Sequence, residues 1–199
     1  MDNPWNERYN TTEFIYGKEP NVFFAENLMK LSAGKILLPA EGEGRNAVFA
    51  AKNSWQVTAF DGSEIAKEKA LKLASDNNVK INYTCNYYEN FEFNENYFDA
   101  IGLVFCHINS EKRKIIHNKF LKFLKKDGYI ILQAYSKNQL KNKTGGPMDL
   151  DLLYSVDDIK ADFEEMEILF LEENTINLSE GSYHVGQGSV VSFVGKKKK

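Results

Sequence analysis

The most informative segment of the sequence is Ile36-Leu37-Leu38-Pro39-Ala40-Glu41-Gly42-Glu43-Gly44-Arg45-Asn46-Ala47. Lys35 to Pro39 is apolar enough for a buried strand, and residues 45 to 52 have helical spacing. Gly42 and Gly44 stand in the turn between them, where glycine adopts unusual dihedral angles and lets a ligand approach the backbone at a helix N-terminus. Taken alone, such a turn is a weak sign of a ligand site.

An aspartate further along the chain strengthens this interpretation. A second apolar run, Gln56 to Phe60, ends at Asp61, which stands 19 residues after Gly42. At about this spacing an acidic side chain binds the hydroxyls of a ribose. The two features together predict a site for a nucleoside-containing cofactor. The alternative is a tight turn followed by an aspartate that only caps a helix.

The rest of the chain alternates short apolar runs with segments of helical spacing, which predicts an α/β fold with a mostly parallel sheet. The further predicted elements are a helix from Pro20-Asn21 to Ala33-Gly34, a helix through Ala66, Ala70 and Ala74, strands Ile81–Cys85 and Asp99–Phe105, a helix capped by Ser110 and stopped at Lys125–Gly128, strand Tyr129–Tyr135, a helix over about 155–163, and a hairpin of Met166–Ile176 and Ser189–Val194 joined by Asn177–Gly188. This makes seven strands, the last antiparallel, with helices on both faces. The loop from Ser136 to Asp151 is long enough to be a functional cover.

Composition favours a single globular domain spanning residues 1–199. The chain has a net charge of −3, with 43% hydrophobic and 27% charged residues. It has neither a signal peptide nor an apolar run of about 18 residues, so we expect a cytoplasmic protein without a membrane segment. Cys85 and Cys106 form no metal-binding pattern, so we expect no metal site and two reduced, buried thiols. We interpret Lys196 to Lys199 as a solvated basic tail, with phosphate binding as the alternative.

Several motifs resemble those of one enzyme family. They are Trp5-Asn6-Glu7-Arg8-Tyr9, Tyr16-Gly17-Lys18-Glu19-Pro20-Asn21, the loop Glu41 to Asn46, Asp61 with Ser63, Phe105-Cys106-His107, Leu124-Lys125-Lys126-Asp127-Gly128-Tyr129, Thr144-Gly145-Gly146-Pro147 and Tyr183-His184. With them the sequence resembles the class I S-adenosylmethionine-dependent methyltransferases. It looks most like a small bacterial group related to the tellurite-resistance and thiopurine methyltransferases. The resemblance implies a Rossmann-like fold and covers nearly the whole chain, with residues 1–33 as an N-terminal cap and first helix.

The resemblance also implies S-adenosylmethionine as cofactor and gives roles to individual residues. Gly42 and Gly44 would lie under the methionine and ribose, Asp61 would bind the ribose hydroxyls, and Asn86 with Tyr87 would border the adenine. The full set of expected cofactor-binding residues is Arg8, Tyr16, Glu41, Gly42, Gly44, Arg45, Asn46, Asp61, Gly62, Ser63, Asn86, Tyr87, Phe105 and Cys106.

The glycine turn departs from the common family pattern. Leu38 stands where the family has its first acidic residue, and Ala40 where it has its first glycine. We expect Glu41 to supply the carboxylate toward the cofactor's ammonium group, and the Asn86 side chain to accept a hydrogen bond from the adenine. A nicotinamide-dependent dehydrogenase would have a third glycine at the position of Ala47, so the pattern counts against that class.

A set of aromatic residues and an arginine near the N-terminus is expected to form a segment that closes over the cofactor. Trp5, Arg8, Tyr9 and Tyr16 precede the first long helix, and Arg8 or Tyr16 could reach the cofactor's carboxylate. The alternative is an N-terminal arm packed for stability. Tyr135, at the end of the fifth strand, could line the same crevice.

His107 and His184 are the expected catalytic residues. His107 follows the fourth strand, where α/β sheets place their ligand crevice, and His184 stands in the loop between the last two strands. The alternatives are a hydrogen-bonded wall residue and an ordinary loop histidine. His117, inside a helix, is expected to be exposed.

The acceptor is predicted to be a small molecule. Nucleic-acid amino-methylating enzymes of this fold carry Asp/Asn-Pro-Pro-Tyr/Trp after the fourth strand, whereas this chain has Phe105-Cys106-His107-Ile108 and no basic face, so no nucleic-acid partner is expected. A thiol or chalcogen oxyanion is favoured because no obligatory base is evident. The alternative is a non-catalytic S-adenosylmethionine or S-adenosylhomocysteine binding protein that acts through a partner. We expect a monomer or homodimer.

Overall fold

The computed structural model describes residues 4–142 and 144–198. The strands are β1 Lys35–Pro39, β2 Gln56–Asp61, β3 Asn82–Cys85, β4 Phe98–Val104, β5 Leu124–Tyr135, β6 Met166–Glu180 and β7 His184–Lys197. The helices are α1 Pro4–Tyr9, α2 Val22–Leu28, α3 Arg45–Lys52, α4 Glu64–Asp76, α5 Ser110–Phe123 and α6 Val156–Asp162, with short 3₁₀ helices at Lys137–Lys141 and Leu150–Leu152.

The strands form one seven-stranded sheet in the order β3-β2-β1-β4-β5-β7-β6. Strands β1 to β5 run parallel, and β7 pairs antiparallel with both β5 and β6. The mostly parallel sheet with an antiparallel last strand is therefore confirmed. The direction of strand addition reverses between β1 and β4, and in such sheets ligands bind at the carboxyl ends of the strands at this reversal.

Apolar side chains on both faces bury the two central strands. On one face Leu37 and Ile101 belong to a large buried cluster that extends under α5 and α6. On the other face Ile36 and Leu38 pack with Phe24 of α2. Each such leucine or isoleucine contributes about 1.5–3 kcal/mol when it leaves water. This double burial explains why both strands are almost continuously apolar.

The C-terminal hairpin is longer than the sequence analysis predicted. Strands β6 and β7 pair from Met166 opposite Lys197 to Glu180 opposite His184, so His184 is the first residue of β7 and not part of a loop. The outer half of the hairpin is polar, so the sequence does not show the apolar alternation typical of a strand there.

The lysines at the C-terminal end do not all form a solvated tail. Lys197 Nζ donates to the carbonyls of Leu121 and Leu124 at 2.8 and 2.6 Å. Lys196 also lies in β7, and Lys199 lies outside the described residues.

Several element boundaries differ from those predicted, those of β2, β3, β4 and α6 by one residue at one or both ends. Helix α2 ends at Leu28, and β5 already begins at Leu124, so Lys125–Gly128 lies inside an irregular part of that strand. Helix α5 is capped by Asn109, whose side chain accepts from Lys112 N at 3.2 Å, and Ser110 is its first residue. In the N-terminal segment, Pro4–Tyr9 is helical, and residues 1–3 lie outside the described part of the chain.

His117 is fully buried, contrary to the expectation that it is exposed. Its Nδ1 lies 2.9 Å from Asp162 Oδ2, and Arg113 Nε donates to the same oxygen at 2.6 Å. Because Arg113 and His117 are four residues apart, they share the helix face that α6 covers.

The two cysteines differ in burial. Cys106 is buried as expected, whereas Cys85 is only partly buried; both are free thiols.

No helix in the described part of the chain is long and apolar enough to cross a membrane.

Replacing Gly44 with alanine tests the packing of the turn after β1. Gly44 has φ +88°, and a Cβ there would lie 2.6 Å from the Ala70 Cβ of α4. We expect Gly44→Ala to lower the free energy of unfolding by about 2–4 kcal/mol, measured by urea denaturation, because strain and overpacking add. The control is Ser54→Gly: exposed Ser54 has φ +68°, so this change should be neutral or slightly stabilising. An equally stable Gly44→Ala protein would contradict the described turn.

Candidate active site

The glycine turn lies at the carboxyl end of β1, where the sequence predicts the cofactor site. Gly42 has φ +61° and Gly44 caps α3 with φ +88°. Tyr83 Oη donates to the Gly42 carbonyl at 2.6 Å. A Cβ on Gly42 would lie 2.8 Å from Tyr9 Oη, so only glycine allows α1 to approach this closely. The turn is therefore buried, and its backbone lies directly beneath Tyr9 of the N-terminal helix.

Asp61 closes the end of β2 over the same turn. Its Oδ2 accepts from Gly42 N at 3.1 Å, and its Oδ1 accepts from Ser63 N at 3.0 Å. Burial raises the pKa of Asp61 to about 6, because these backbone hydrogen bonds offset only part of the desolvation. Gly62 is a third backbone donor to this carboxylate, so at least one of its oxygens keeps a lone pair for a ligand hydroxyl.

Glu41 is a second buried carboxylate at this turn. Its Oε1 accepts from Ala47 N at 2.7 Å in the first turn of α3, and its Oε2 accepts from Asn46 Nδ2 at 3.3 Å. Burial raises the pKa of Glu41 to about 7. Within the described residues, neither Glu41 nor Asp61 forms a salt bridge. Two buried carboxylates without a cationic partner suit a ligand that carries positive charge and hydroxyl groups.

The N-terminal segment packs over this turn. Ser63 Oγ donates to Asn6 Oδ1 at 2.6 Å, and Tyr9 is buried against Gly42. Arg8 donates to Tyr16 Oη at 3.3 Å, and its guanidinium lies 5.5 Å from the centre of the Tyr183 ring. Helix α1 thus connects the end of β2 with the tip of the C-terminal hairpin.

The residues expected near the adenine lie after β3. Asn86 Oδ1 accepts from Tyr87 N at 2.8 Å, so the asparagine side chain is folded onto its own backbone. Tyr87 is half exposed, and its ring packs against Gly62, where a Cβ would lie 2.7 Å from the ring.

The chain leaves β4 through a strained residue. Phe105 has φ +50°, an unfavourable value for a bulky side chain, and its N donates to Gln133 O at 2.7 Å. This turn directs the Phe105 ring toward the hairpin. The Cys106 thiol is buried, which raises its pKa to about 12 and makes it a poor nucleophile at neutral pH.

Five ring-bearing side chains meet beyond the carboxyl ends of β4 and β5, and we name them the aromatic cluster: Tyr16, Phe105, His107, Tyr135 and His184. The Phe105 ring centre lies 4.8 Å from that of Tyr135 and 4.6 Å from that of His184. His107 stacks on Tyr135 at 5.8 Å, and Tyr16 lies 4.4 Å from His184. The two histidines expected to be catalytic therefore face one Tyr135 ring, although 77 residues of sequence separate them.

His107 has a defined tautomer. Its Nδ1 lies 2.7 Å from the carbonyl oxygen of Leu152, which can only accept, so Nδ1 carries the proton and Nε2 has a free lone pair. Burial lowers the pKa of His107 to about 4. His107 Nε2 and Tyr135 Oη are buried and have no hydrogen-bond partner within the described residues. His107 Nε2 can thus accept a hydrogen bond from a ligand, and the Tyr135 hydroxyl can donate one to it.

The loop after β5 covers Tyr135, as its length suggested. Gly145 and Gly146 have φ +112° and +87°, and a Cβ on Gly146 would lie 2.7 Å from the Tyr135 ring. Thr144 Oγ1 donates to the carbonyl of Gln187 in the hairpin. The loop and the hairpin therefore meet above the aromatic cluster.

A polar network beneath the cluster contains residues that sequence reasoning missed: Asn21, Gln133 and Glu180. Asn21 Nδ2 donates to Gln133 at 2.8 Å and to Glu180 at 3.1 Å. The side chain of Arg45, expected near the cofactor, donates to Glu180 at 2.9 Å. Asn21 ends one of the motifs quoted above, but no motif marked Gln133 or Glu180, because their partners are distant in the chain.

Solved structures with the same fold are methyltransferases and related proteins. TehB from Haemophilus influenzae is 18% identical with a TM-score of 0.75, and the alignment covers 98% of this chain but 66% of TehB. A protein described by the "Conversion of a Disulfide Bond into a Thioacetal Group during Echinomycin Biosynthesis" is 15% identical with a TM-score of 0.77, over 98% of this chain and 91% of the other. An S-adenosylmethionine-dependent methyltransferase from Clostridium acetobutylicum is 16% identical with a TM-score of 0.60, over 89% and 90%. No curated protein matches the sequence.

The family model described as "Methyltransferase domain" matches residues 36–128, from β1 into β5. This match and the sheet order show that the chain has the fold of the class I methyltransferases. The matched segment contains the glycine turn, Asp61 and His107. Solved structures with this fold include S-adenosylmethionine-dependent methyltransferases, and the buried carboxylates Glu41 and Asp61, which form no salt bridge within the described residues, would suit the positive charge and ribose hydroxyls of that cofactor.

The tautomer of His107 can be measured directly. We expect its imidazole to stay neutral down to about pH 5, with the proton on Nδ1, because burial and the Leu152 carbonyl favour that form. Nuclear magnetic resonance of ¹⁵N-histidine-labelled protein reports both properties, and His107→Gln assigns the signal. Titration near the ordinary histidine value, or a proton on Nε2, would contradict the described site.

Proposed function

We propose that the protein transfers a methyl group from S-adenosylmethionine to a small molecule bound at the aromatic cluster. The observation that carries the proposal is that two of the four buried polar atoms without hydrogen-bond partners in the described residues, His107 Nε2 and Tyr135 Oη, lie together in this cluster. Leaving such atoms without partners costs about 1–3 kcal/mol each, so they mark a place where a ligand supplies the missing hydrogen bonds. They lie at the carboxyl ends of β4 and β5, beside the glycine turn at the end of β1.

The residues around the glycine turn are proposed to hold the cofactor. Asp61 binds the ribose hydroxyls, Glu41 attracts the ammonium group, and Arg8 with Tyr16 binds the carboxylate from the N-terminal segment. Seven further residues expected there are proposed to shape the same pocket: Gly42, Gly44, Asn46, Gly62, Ser63, Asn86 and Tyr87. The other three residues expected there are not assigned to the cofactor pocket, because Arg45 pairs with Glu180, Phe105 belongs to the aromatic cluster and Cys106 is buried in the core. The bound cofactor supplies an electrophilic methyl group on a sulfonium, open to in-line displacement.

His107 is proposed to take up the proton that the methyl acceptor loses. A thiol or hydroxyl becomes strongly acidic as its bond to the methyl carbon forms, so a weak base at Nε2 can take the proton late in the reaction. Tyr135 Oη donates a hydrogen bond to the sulfur or oxygen atom that receives the methyl group, and so orients the lone pair of that atom. The aromatic cluster excludes water around the nucleophile, which favours the displacement.

Among the acceptors favoured by the sequence, this arrangement fits a thiol better than a chalcogen oxyanion. Neutral His107 Nε2 can only accept a hydrogen bond, so it favours a ligand that still carries its proton. The Arg45 charge is compensated by Glu180, with N and O atoms 2.9 Å apart. An oxyanion bound here would face the lone pair of His107 Nε2. The positive charge of Arg45 would attract it only weakly, because Glu180 already compensates that charge.

Cofactor affinity should depend on pH. Because the pKa values of Asp61 and Glu41 are raised to about 6 and about 7, both groups take up protons as the pH falls and lose their attraction for a cation. We expect S-adenosylmethionine to bind about 10-fold more weakly at about pH 5.5 than at about pH 7.5, measured by calorimetry. Glu41→Gln should flatten this dependence, and Asp61→Ala should weaken binding about 10- to 100-fold. Wild-type protein that does not bind the cofactor would refute the proposed function.

Turnover distinguishes an enzyme from a protein that only binds the cofactor. With a small thiol as acceptor, we expect His107→Gln to lower kcat by about 100-fold and Tyr135→Phe by about 10-fold, with cofactor affinity unchanged. The matched control is Tyr129→Phe, six residues before Tyr135 in β5, which should leave kcat unchanged. The assay follows transfer of a radiolabelled methyl group to thiol, phenol and selenite acceptors. Cofactor binding without transfer to any acceptor would favour the non-catalytic alternative.

A further inference from the structure

Glu180, the last residue of β6, joins two parts of the site that no sequence motif connects. Its Oε2 accepts from His184 Nδ1 at 3.0 Å and from Arg45 NH2 at 2.9 Å. Its Oε1 accepts from Asn21 Nδ2 at 3.1 Å. Glu180 is therefore held by one residue from each of three other elements: the start of β7, the N-terminal turn of α3 and the cap of α2.

The charge of this carboxylate is fixed by its partners. Burial alone would raise the pKa of Glu180, but the hydrogen bond from His184 and the positive charge of Arg45 outweigh it and bring the pKa to about 2. An ionised carboxylate can only accept hydrogen bonds, so His184 must carry a proton on Nδ1. In the neutral imidazole, His184 Nε2 then has the free lone pair.

The ring of His184 is also fixed in direction. Tyr16 and Phe105 lie against it at 4.4 and 4.6 Å between ring centres, and Tyr135 meets it edge-to-face at 5.3 Å. The residue is 6% exposed, so the ring cannot reorient without disturbing the cluster. A carboxylate that holds one nitrogen of a packed histidine selects the tautomer and orientation of the other nitrogen.

We propose that Glu180 is the positioning residue for His184. It holds Nδ1 so that the lone pair of Nε2 belongs to the acceptor site, while Arg45 keeps the carboxylate ionised and fixed to the start of α3. His184 thereby becomes a second neutral hydrogen-bond acceptor beside His107. The pairing also fixes the hairpin relative to the glycine turn, so the acceptor site and the cofactor site keep their spacing.

The expected loss of kcat rests on the proposed function, whereas the expected change in the tautomer of His184 does not. In Glu180→Gln the charge is lost and the side-chain amide can also donate. We expect the single Nδ1–H tautomer of His184 to give way to a mixture, visible in ¹⁵N nuclear magnetic resonance. Glu180→Asp keeps the charge and should preserve the tautomer at least in part. An unchanged tautomer in Glu180→Gln would overturn the proposal whatever the enzyme does.

Turnover supplies the second test. We expect Glu180→Gln to lower kcat about 10- to 100-fold, with the dissociation constant for S-adenosylmethionine unchanged. The matched control is Glu172→Gln, an exposed glutamate on the same strand, which should leave both quantities unchanged. In a His184→Gln background, Glu180→Gln should cause no further loss of kcat, because both changes act through the same imidazole.

The outcomes separate the two claims. Losses that multiply in the double variant would mean that Glu180 acts on the structure generally and would overturn its positioning role. If Glu180→Gln changes the tautomer of His184 but His184→Gln keeps its full kcat, Glu180 still positions the imidazole. This result would contradict the part of His184 in catalysis. If Glu180→Gln fails to fold, Glu180→Asp combined with His184→Gln gives the same test of additivity.

Discussion

The hydrogen bond from Gly42 N to Asp61 Oδ2, 3.1 Å long, joins the carboxyl ends of β1 and β2, and the arrangement of the site depends on it. It requires a residue at Gly42 that tolerates φ +61° and the close approach of Tyr9. It also holds a carboxylate in a buried position where its pKa rises to about 6. A folded protein retains such an unfavourable group when a ligand compensates for it, which is the pattern of a functional site.

A polar path connects this turn with the acceptor side. Glu41 accepts from Asn46, and Asn46 accepts from Asn21 N at 2.9 Å. Asn21 in turn donates to Glu180, which holds His184. Because every step is a buried or partly buried hydrogen bond, the path rigidly spaces the carboxylates of the cofactor side and the histidines of the acceptor side. This spacing matters for methyl transfer, in which a small misplacement of the nucleophile costs much of the rate.

Local patterns in the sequence were sufficient to predict the central part of the fold. The apolar runs of β1, β2 and β4 and the glycine turn are visible because burial on both faces and positive φ values restrict the residue types at single positions. The hairpin could not be bounded, since its outer half is polar and its pairing depends on distant partners. His117 was misjudged for a similar reason: only the packing of α6 over α5 shows that its neighbours are Arg113 and Asp162. Likewise, 135 residues separate Arg45 from Glu180, and no spacing rule could join them.

The central claim is that cofactor and acceptor sites meet between the glycine turn and the aromatic cluster. A crystal structure with S-adenosylhomocysteine tests it most directly. The account predicts that the ribose hydroxyls contact Asp61 and that the sulfur faces the opening toward His107 and Tyr135. A product molecule bound away from Asp61, or with its sulfur directed away from the aromatic cluster, would contradict the account.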